Sequence, residues 1–384
     1  MERDVDLVPL RPVIFTRLHE LGRHRIDSFH LEDWEMLSRE LEVSEEEAKR
    51  LIGVISGYSR NEVPSWMQAR TAWDLLQEQR LNPRMITTGS EQLDRLLGGG
   101  VAPGTIVEFS GAPGIGKTQL CMQLCVNVQL PDALSGIQGS AIYIDTDGAF
   151  VVERLREMAE AIVEKCREEA DSDDTIYDDT VRGALQQFNV DEVLARIFHF
   201  RCHDYFDMLT VVHLLPEFAQ KRNVKLIVID SVASHFRYAF EDDLAKRARI
   251  MNSFMQKLNA CAIENKIAVV MTNQMTTRVA AGEDTRLIPA LGTNWGYSCS
   301  VRVNLSWRND TRIALLFKSP SRGQSTAPFI VSAAGIRDII SMDTLIEPEK
   351  DREATLLMSS LLADEGDDSI LADDSQPVTQ DESA

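Results

Sequence analysis

Residues 111–118 read Gly111-Ala-Pro-Gly-Ile-Gly116-Lys117-Thr118. The segment follows directly on an apolar run, Ile106-Val-Glu-Phe-Ser110, and leads directly into Gln119-Leu-Cys-Met-Gln-Leu124, which has helical character. The spacing is G-x-x-x-x-G-K-T between a strand and a helix, the setting in which such a loop cradles phosphate. Glycines let the loop fold tightly and aim its backbone N–H groups inward, where side chains would obstruct, and the helix N-terminus adds its positive dipole end. Gly111, Ala112, Pro113, Gly114, Ile115, Gly116 and Gln119 therefore frame the pocket. Lys117 supplies a point charge to the β- and γ-phosphates, and the Thr118 hydroxyl is a magnesium ligand. The expected cofactors are ATP and Mg2+.

Such a site needs a carboxylate at the end of a neighbouring buried strand to hold the metal through water. Lys225-Leu-Ile-Val-Ile-Asp230 provides one in Asp230, at the carboxyl edge of the sheet where ligands of open α/β folds bind. A group that orients or deprotonates an attacking water is also required, and Asp147 in Ala141-Ile-Tyr-Ile-Asp-Thr-Asp147-Gly stands just past a strand. Asp145, at the strand end itself, reads as structural or as a more distant support of the metal. Gln274, after the run Ala268 to Met271, is placed to sense the γ-phosphate through its amide.

On either side of this segment, short apolar runs at 105–110, 141–145, 197–201, 225–230, 267–272, 301–307 and 313–318 alternate with helical stretches. This is the sequence form of βαβ units around a mostly parallel sheet. The expected fold class is α/β: a P-loop ATPase core over residues 86–340, preceded by a small all-α domain over 1–58 and a linker over 59–85. An acidic, mostly disordered tail is expected over 341–384. In the first domain Ser44 is a helix N-cap with Glu47 as its capping-box partner. The acidic segment Glu168 to Asp179 reads as a surface loop.

The chain of 384 residues is 44% hydrophobic and carries a net charge of -20, which excludes a polycation that coats nucleic acid by charge alone. Any DNA contact has to be local. Thirteen acidic residues in the last 44 positions, against Lys350 and Arg352, place -11 of that charge in the tail. Six cysteines without a C-x-x-C pair, and a start lacking the apolar core of a signal peptide, predict a reducing intracellular compartment. No apolar run approaches the roughly 20 residues of a membrane span. His199, Cys202 and His203 lack a fourth ligand, and strand alternation puts the cysteine on the opposite face from both histidines, so zinc is not expected. Cys121 and Cys125, one helical turn apart, are expected to be packing residues.

The phosphate loop with Thr118-Gln-Leu-Cys, Tyr143-Ile-Asp-Thr-Asp-Gly, Phe150-Val-Val-Glu-Arg154-Leu, Asp230-Ser231, Thr272-Asn-Gln and Lys318-Ser-Pro320 resemble the RecA-type strand-exchange recombinases of eukaryotes and archaea. The resemblance runs from about Ile86 to Ile340. Phe200-Arg-Cys-His-Asp-Tyr205, Leu214-Leu-Pro-Glu-Phe218 and Pro289-Ala-Leu-Gly-Thr-Asn-Trp-Gly296 are most similar to the C-paralogue branch of that family. The resemblance implies a RecA-like core, an adenine-stacking role for Arg154, and a cap in Lys318-Ser319-Pro320 that closes a neighbouring protomer's nucleotide site. It also implies two DNA-channel loops, about Ser234 to Asp243 and Val279 to Pro289, with Arg237, Arg247, Arg249, Arg278 and Arg286 as the candidate contacts.

Departures from the family pattern carry information. Asp147 stands where the family has glutamate, one methylene longer, so slow hydrolysis is expected. Ala69-Arg-Thr-Ala72 stands where an aromatic assembly hook would be, so homotypic filaments should be weakened, with Trp66 or Trp73 as substitute anchors. The expected function is therefore a DNA-dependent ATPase subunit of a recombinase-paralogue complex in homologous recombination and double-strand break repair, assisting recombinase filament assembly. The expected partners are single-stranded or branched DNA, other paralogues in a hetero-oligomer and the recombinase itself, with no membrane. Nuclear residence, with cytoplasm as a second location, rests on the resemblance. The alternatives are an autonomous strand-exchange recombinase and a non-hydrolysing scaffold stabilised by nucleotide.

Overall fold

The computed structural model describes residues 12–23, 34–60, 71–81, 84–134, 136–171, 179–240, 243–278 and 286–339. The acidic tail, the segment 61–70 with Trp66 and Ala69, and the tip of the second expected DNA loop lie outside the described residues. The chain divides into two compact units, Met1–Pro83 and Arg84–Ala384.

In the first unit, helices α1 (Pro12–Glu20), α2 (Trp34–Leu41) and α3 (Glu45–Arg60) bury Leu18, Leu37, Leu41, Ala48, Leu51, Ile52 and Ile55 in a small core. These positions recur at helical spacing, so each helix turns one apolar stripe inward. Ser44 caps α3, its Oγ accepting from the Glu47 N–H at 3.2 Å. Helix α4 (Ala72–Leu81) starts on a reciprocal pair: the Asp74 N–H donates to Thr71 Oγ1 at 3.1 Å, and the Thr71 N–H donates to Asp74 Oδ2 at 3.2 Å. Trp73 on this helix is 63% exposed.

The second unit is built on nine strands: β1 (Ile106–Gly111), β2 (Ser140–Asp145), β3 (Ile197–Arg201), β4 (Val224–Asp230), β5 (Ala268–Asn273), β8 (Val301–Arg308), β9 (Thr311–Lys318), β10 (Ser325–Ser332) and β11 (Gly335–Arg337). Their order is β11-β10-β9-β8-β1-β5-β4-β2-β3. From β3 to β8 all neighbours are parallel, and β9, β10 and β11 extend the sheet antiparallel. The chain is thus an α/β protein with a mostly parallel central sheet, as the alternation of apolar runs predicts.

Strands β1, β2 and β5 are buried along their whole length. Helices cover both faces, which is why those strands read as continuous apolar runs. Alternate residues serve different cores. Val107, Phe109, Tyr143, Val228 and Val270 join α6 (Lys117–Asn127) and α7 (Val152–Asp171) on one side. Ile106, Ile144, Ile229 and Met271 join α10 (Tyr205–Lys221) and α12 (Leu244–Asn265) on the other.

Several segments differ from the sequence expectation. Glu168 to Asp171 forms the end of α7 rather than a loop, because Cys166 and Ala170 extend its buried stripe. Ala233–Tyr238, inside the first expected DNA loop, is helix α11. The second loop is framed by a two-stranded ribbon, β6 (Met275–Arg278) with β7 (Arg286–Pro289). β10 was not expected either, since Pro328 interrupts its pattern.

One half-buried carboxyl near the start of this unit makes stability depend on pH. Asp94, in α5 (Glu91–Leu97), accepts from the Thr88 N–H at 2.7 Å and the Thr88 hydroxyl at 2.8 Å. Burial outweighs both hydrogen bonds and, with Asp338 and Glu91 nearby, pushes its pKa up to about 6 from an ordinary 3.8. The folded chain therefore keeps this proton when the unfolded chain has lost it. The stabilisation is complete below 3.8 and disappears as pH rises through about 6. Asp94→Asn is expected to raise the melting midpoint of the protein at pH 7.5, by the equivalent of at most about 3 kcal/mol, and to change it little near pH 4. Thermal scans of both proteins at the two pH values measure this.

Candidate functional site

The loop predicted to bind phosphate joins β1 to α6. Gly114 and Gly116 have φ of 79° and 110°, conformations that exclude ordinary side chains. Gly111 is needed for a different reason: a Cβ there would lie 2.6 Å from the Leu305 carbonyl oxygen on β8. The first turn of α6 carries no acidic residue, so nothing offsets its positive dipole end. Lys117 Nζ donates to the Gly111 carbonyl at 2.8 Å and the Ala112 carbonyl at 3.0 Å, holding the ammonium over the loop. Burial pushes the Lys117 pKa below the ordinary lysine value, and the Asp230 carboxylate opposes that shift.

Asp230 ends β4 on the same face of the sheet as α6. Thr118 Oγ1 donates to Asp230 Oδ2 at 2.7 Å, which brings the two expected metal residues together. Two hydroxyls that the sequence reading passed over join them. The Tyr143 phenol donates to Oδ2 at 2.6 Å, and Thr272 Oγ1 donates to Oδ1 at 2.5 Å. Their signal in the sequence was a polar side chain at the inward parity of an otherwise apolar strand. Among the described residues no group of three or more His, Cys, Asp or Glu gathers. A hard cation held by a carboxylate, a hydroxyl and phosphate oxygens needs none, so this oxygen donor set fits Mg2+.

Asp147 is exposed beyond β2, where Thr146 Oγ1 donates to its Oδ1 and Ser231 Oγ to its Oδ2, each at 3.3 Å. Gln274 Nε2 donates to the same Ser231 Oγ at 3.5 Å, so the sensor and base candidates meet at one hydroxyl. Asp145 is buried and closes the following turn by accepting from the N–H groups of Gly148 at 2.7 Å and Ala149 at 3.3 Å. Arg154 Nε donates to Gln119 Oε1 at 2.7 Å, and its terminal nitrogens donate to the Ser332 and Ala333 carbonyls, each at 2.5 Å. This ties the start of α7 to the helix after the phosphate loop and to the β10–β11 turn.

Lys318, at the end of β9, donates to the carbonyls of Gly296 at 2.9 Å and Tyr297 at 3.1 Å in α13 (Gly292–Ser298). Pro320 is exposed just beyond it. Of the candidate DNA contacts, Arg278 and Arg286 pair across β6 and β7. Arg237 lies on α11, and Arg247 and Arg249 lie on α12. Cys121 and Cys125 are wholly buried, and burial pushes both thiols up, so they are inert packing groups at neutral pH.

A buried cluster on the opposite face of β1 was missed by the sequence reading. Glu108, with 0% exposure, accepts from Asn273 Nδ2 at 2.7 Å, Trp295 Nε1 at 2.9 Å and Arg302 Nε at 2.5 Å. One carboxylate thus joins β1, β5, α13 and β8. A single acidic residue within an apolar run gave no hint of three partners distant in sequence.

Comparison with known proteins gives concordant matches. The Rad51 family matches residues 79–171 and 170–339. DNA repair protein RAD51 homolog 3 of Cricetulus griseus is 36% identical over 345 residues, covering 88% of this chain and 93% of that protein. The protein of the same name in Dictyostelium discoideum is 37% identical over 273 residues, 70% of this chain and 69% of its own. DNA repair and recombination protein RadA of Aeropyrum pernix is 36% identical over 274 residues, 70% of this chain and 77% of its own.

The buried cluster yields a stability prediction. Arg302→Leu leaves the Glu108 carboxylate without its charged partner and is expected to destabilise by about 3–5 kcal/mol. Trp295→Phe removes one neutral donor and should cost about 1–3 kcal/mol. Urea unfolding followed by circular dichroism gives both values and their order.

Proposed function

The chain belongs to the Rad51 family, and on that premise we propose that it is a nucleotide-binding paralogue subunit acting in homologous recombination and repair of DNA breaks. The observation that carries the reading is the 2.7 Å bond from Thr118 to Asp230 beside the Lys117-bearing loop, which brings a hydroxyl and a carboxylate together next to a positive charge. Names of the similar proteins, DNA repair protein RAD51 homolog 3 and RadA, support the process.

In this reading ATP lies along the loop from Gly111 to Thr118 and Gln119, with Arg154 beside the base. Lys117 moves its ammonium from the loop carbonyls to the β- and γ-phosphates. Thr118 and Asp230 hold Mg2+, which supplies charge neutralisation at the phosphates when bound. Asp147 orients the attacking water from its seat between Thr146 and Ser231, and Gln274 reports on the γ-phosphate through Ser231. The side chain of Asp147 is one methylene short for this task, and catalytic rates fall by about 10²-fold for a 1 Å misplacement, so turnover is slow. Nucleotide acts chiefly as a joint between protomers, with Lys318 and Pro320 of one subunit closing the site of the next.

DNA is held through Arg237, Arg247, Arg249, Arg278 and Arg286 at the edge of the sheet that carries the nucleotide. With a net charge of -20, this contact is local and salt-sensitive. The partners are other paralogues and the strand-exchange recombinase, and the site of action is the nucleus.

Two outcomes test this reading. Lys117→Ala should weaken ATP binding about 10–100-fold, the worth of a hydrogen bond to a charged group, and loosen assembly with partner paralogues in sedimentation. Asp147→Glu should raise single-turnover hydrolysis with DNA about tenfold or more. If neither wild type nor Asp147→Glu turns over, the non-hydrolysing scaffold replaces the ATPase.

A further inference from the structure

The Asp230 carboxylate is held by more hydroxyls than a metal carboxylate needs. Thr118 is accounted for, since its oxygen also faces the metal in the reading above. Tyr143 and Thr272 are not. Tyr143 lies in the middle of β2, wholly buried, and its ring packs on Phe150 with centroids 4.7 Å apart. The phenol therefore cannot swing away, and it donates to Asp230 Oδ2 at 2.6 Å.

A carboxylate offers about four lone-pair directions. Thr118 and Tyr143 occupy the two on Oδ2, and Thr272 occupies one on Oδ1. That count leaves a single direction, on Oδ1, for a water carried by the cation. The donors come from α6, β2 and β5, three elements fixed in the core, so the carboxylate plane has no freedom to turn. Rotational locking matters for a small cation that demands near-ideal octahedral geometry, and much less for a larger one that tolerates irregular ligands.

We propose that Tyr143 is a positioning residue for the metal carboxylate: by clamping Asp230 Oδ2 it fixes which oxygen faces the cation and so makes the nucleotide site prefer Mg2+ over Ca2+. This rests on the nucleotide-binding reading and deepens it. The clamp touches neither nucleotide nor cation, so removing it changes the choice of cation without changing the phosphate cradle.

The test is Tyr143→Phe in the full chain, with binding of a fluorescent non-hydrolysable ATP analogue titrated in EDTA, in Mg2+ and in Ca2+. Circular dichroism and the melting midpoint verify the fold. The expected result is unchanged affinity in EDTA, a Mg2+ requirement raised about three- to tenfold, and a Ca2+ requirement raised less than twofold, a split that follows from the stricter geometry of Mg2+. Thr272→Val removes the Oδ1 donor and is expected to show the same bias, which keeps the test decisive if Tyr143→Phe does not fold. Equal losses for both cations, or no loss for either, overturn the clamp while leaving the nucleotide reading intact. A wild-type protein that binds no analogue under any of the three conditions overturns both.

Discussion

The three hydroxyls converging on Asp230 are the constraint on which the site depends. Leaving the oxygens of a buried carboxyl group without hydrogen-bond partners is costly, and Thr118, Tyr143 and Thr272 supply those partners with short bonds. Those bonds also fix geometry. Thr118 joins the first turn of α6, and so the phosphate loop, to the end of β4, while Tyr143 and Thr272 fix the carboxylate from β2 and β5. The loop's own glycines give it shape, but Asp230 gives it a place.

Strand parity separates this work from a second cluster. Val228 and Val270 precede Asp230 and Thr272 by two positions and face the α6 side, so the polar ends of β4 and β5 face that side too. Glu108, at the other parity of β1, faces the α10 and α12 side. There it gathers Asn273, Trp295 and Arg302, which fixes α13 behind the β6–β7 ribbon. Asp230 and Glu108 thus stand on opposite faces of the sheet. One organises the nucleotide loop, and the other organises the segment between the candidate DNA ribbon and Lys318.

How much of this was legible in the sequence follows from the range of each interaction. The loop at 111–118 is local: eight consecutive residues between a strand and a helix, so its setting could be read directly. The places of Asp230 at the end of β4 and of Asp147 just past β2 were legible because an apolar run marks where a buried strand stops. Tyr143, Thr272 and Glu108 were not, because their importance lies in partners 42 to 194 residues away, which no local pattern encodes. Strands β10, β6 and β7 escaped for a different reason. They are short or interrupted by Pro328, and antiparallel edge pairing supports them where an apolar run would not.

Lys318 shows how the two clusters bear on the proposed assembly. A lysine side chain free in solvent loses up to about 2 kcal/mol of rotamer entropy when a contact orders it. Here the Gly296 and Tyr297 carbonyls, adjacent to Trp295 in α13, already hold the ammonium in place. Trp295 in turn is anchored by Glu108, so the ordering is accomplished by the fold before any neighbour arrives. In the proposed interface the lysine exchanges these carbonyls for a partner's phosphates, so its attraction depends on the nucleotide being there. Such a joint is selective for the loaded neighbour because the lysine has carbonyl partners of its own to keep when that site is empty, and only phosphate charge outcompetes them.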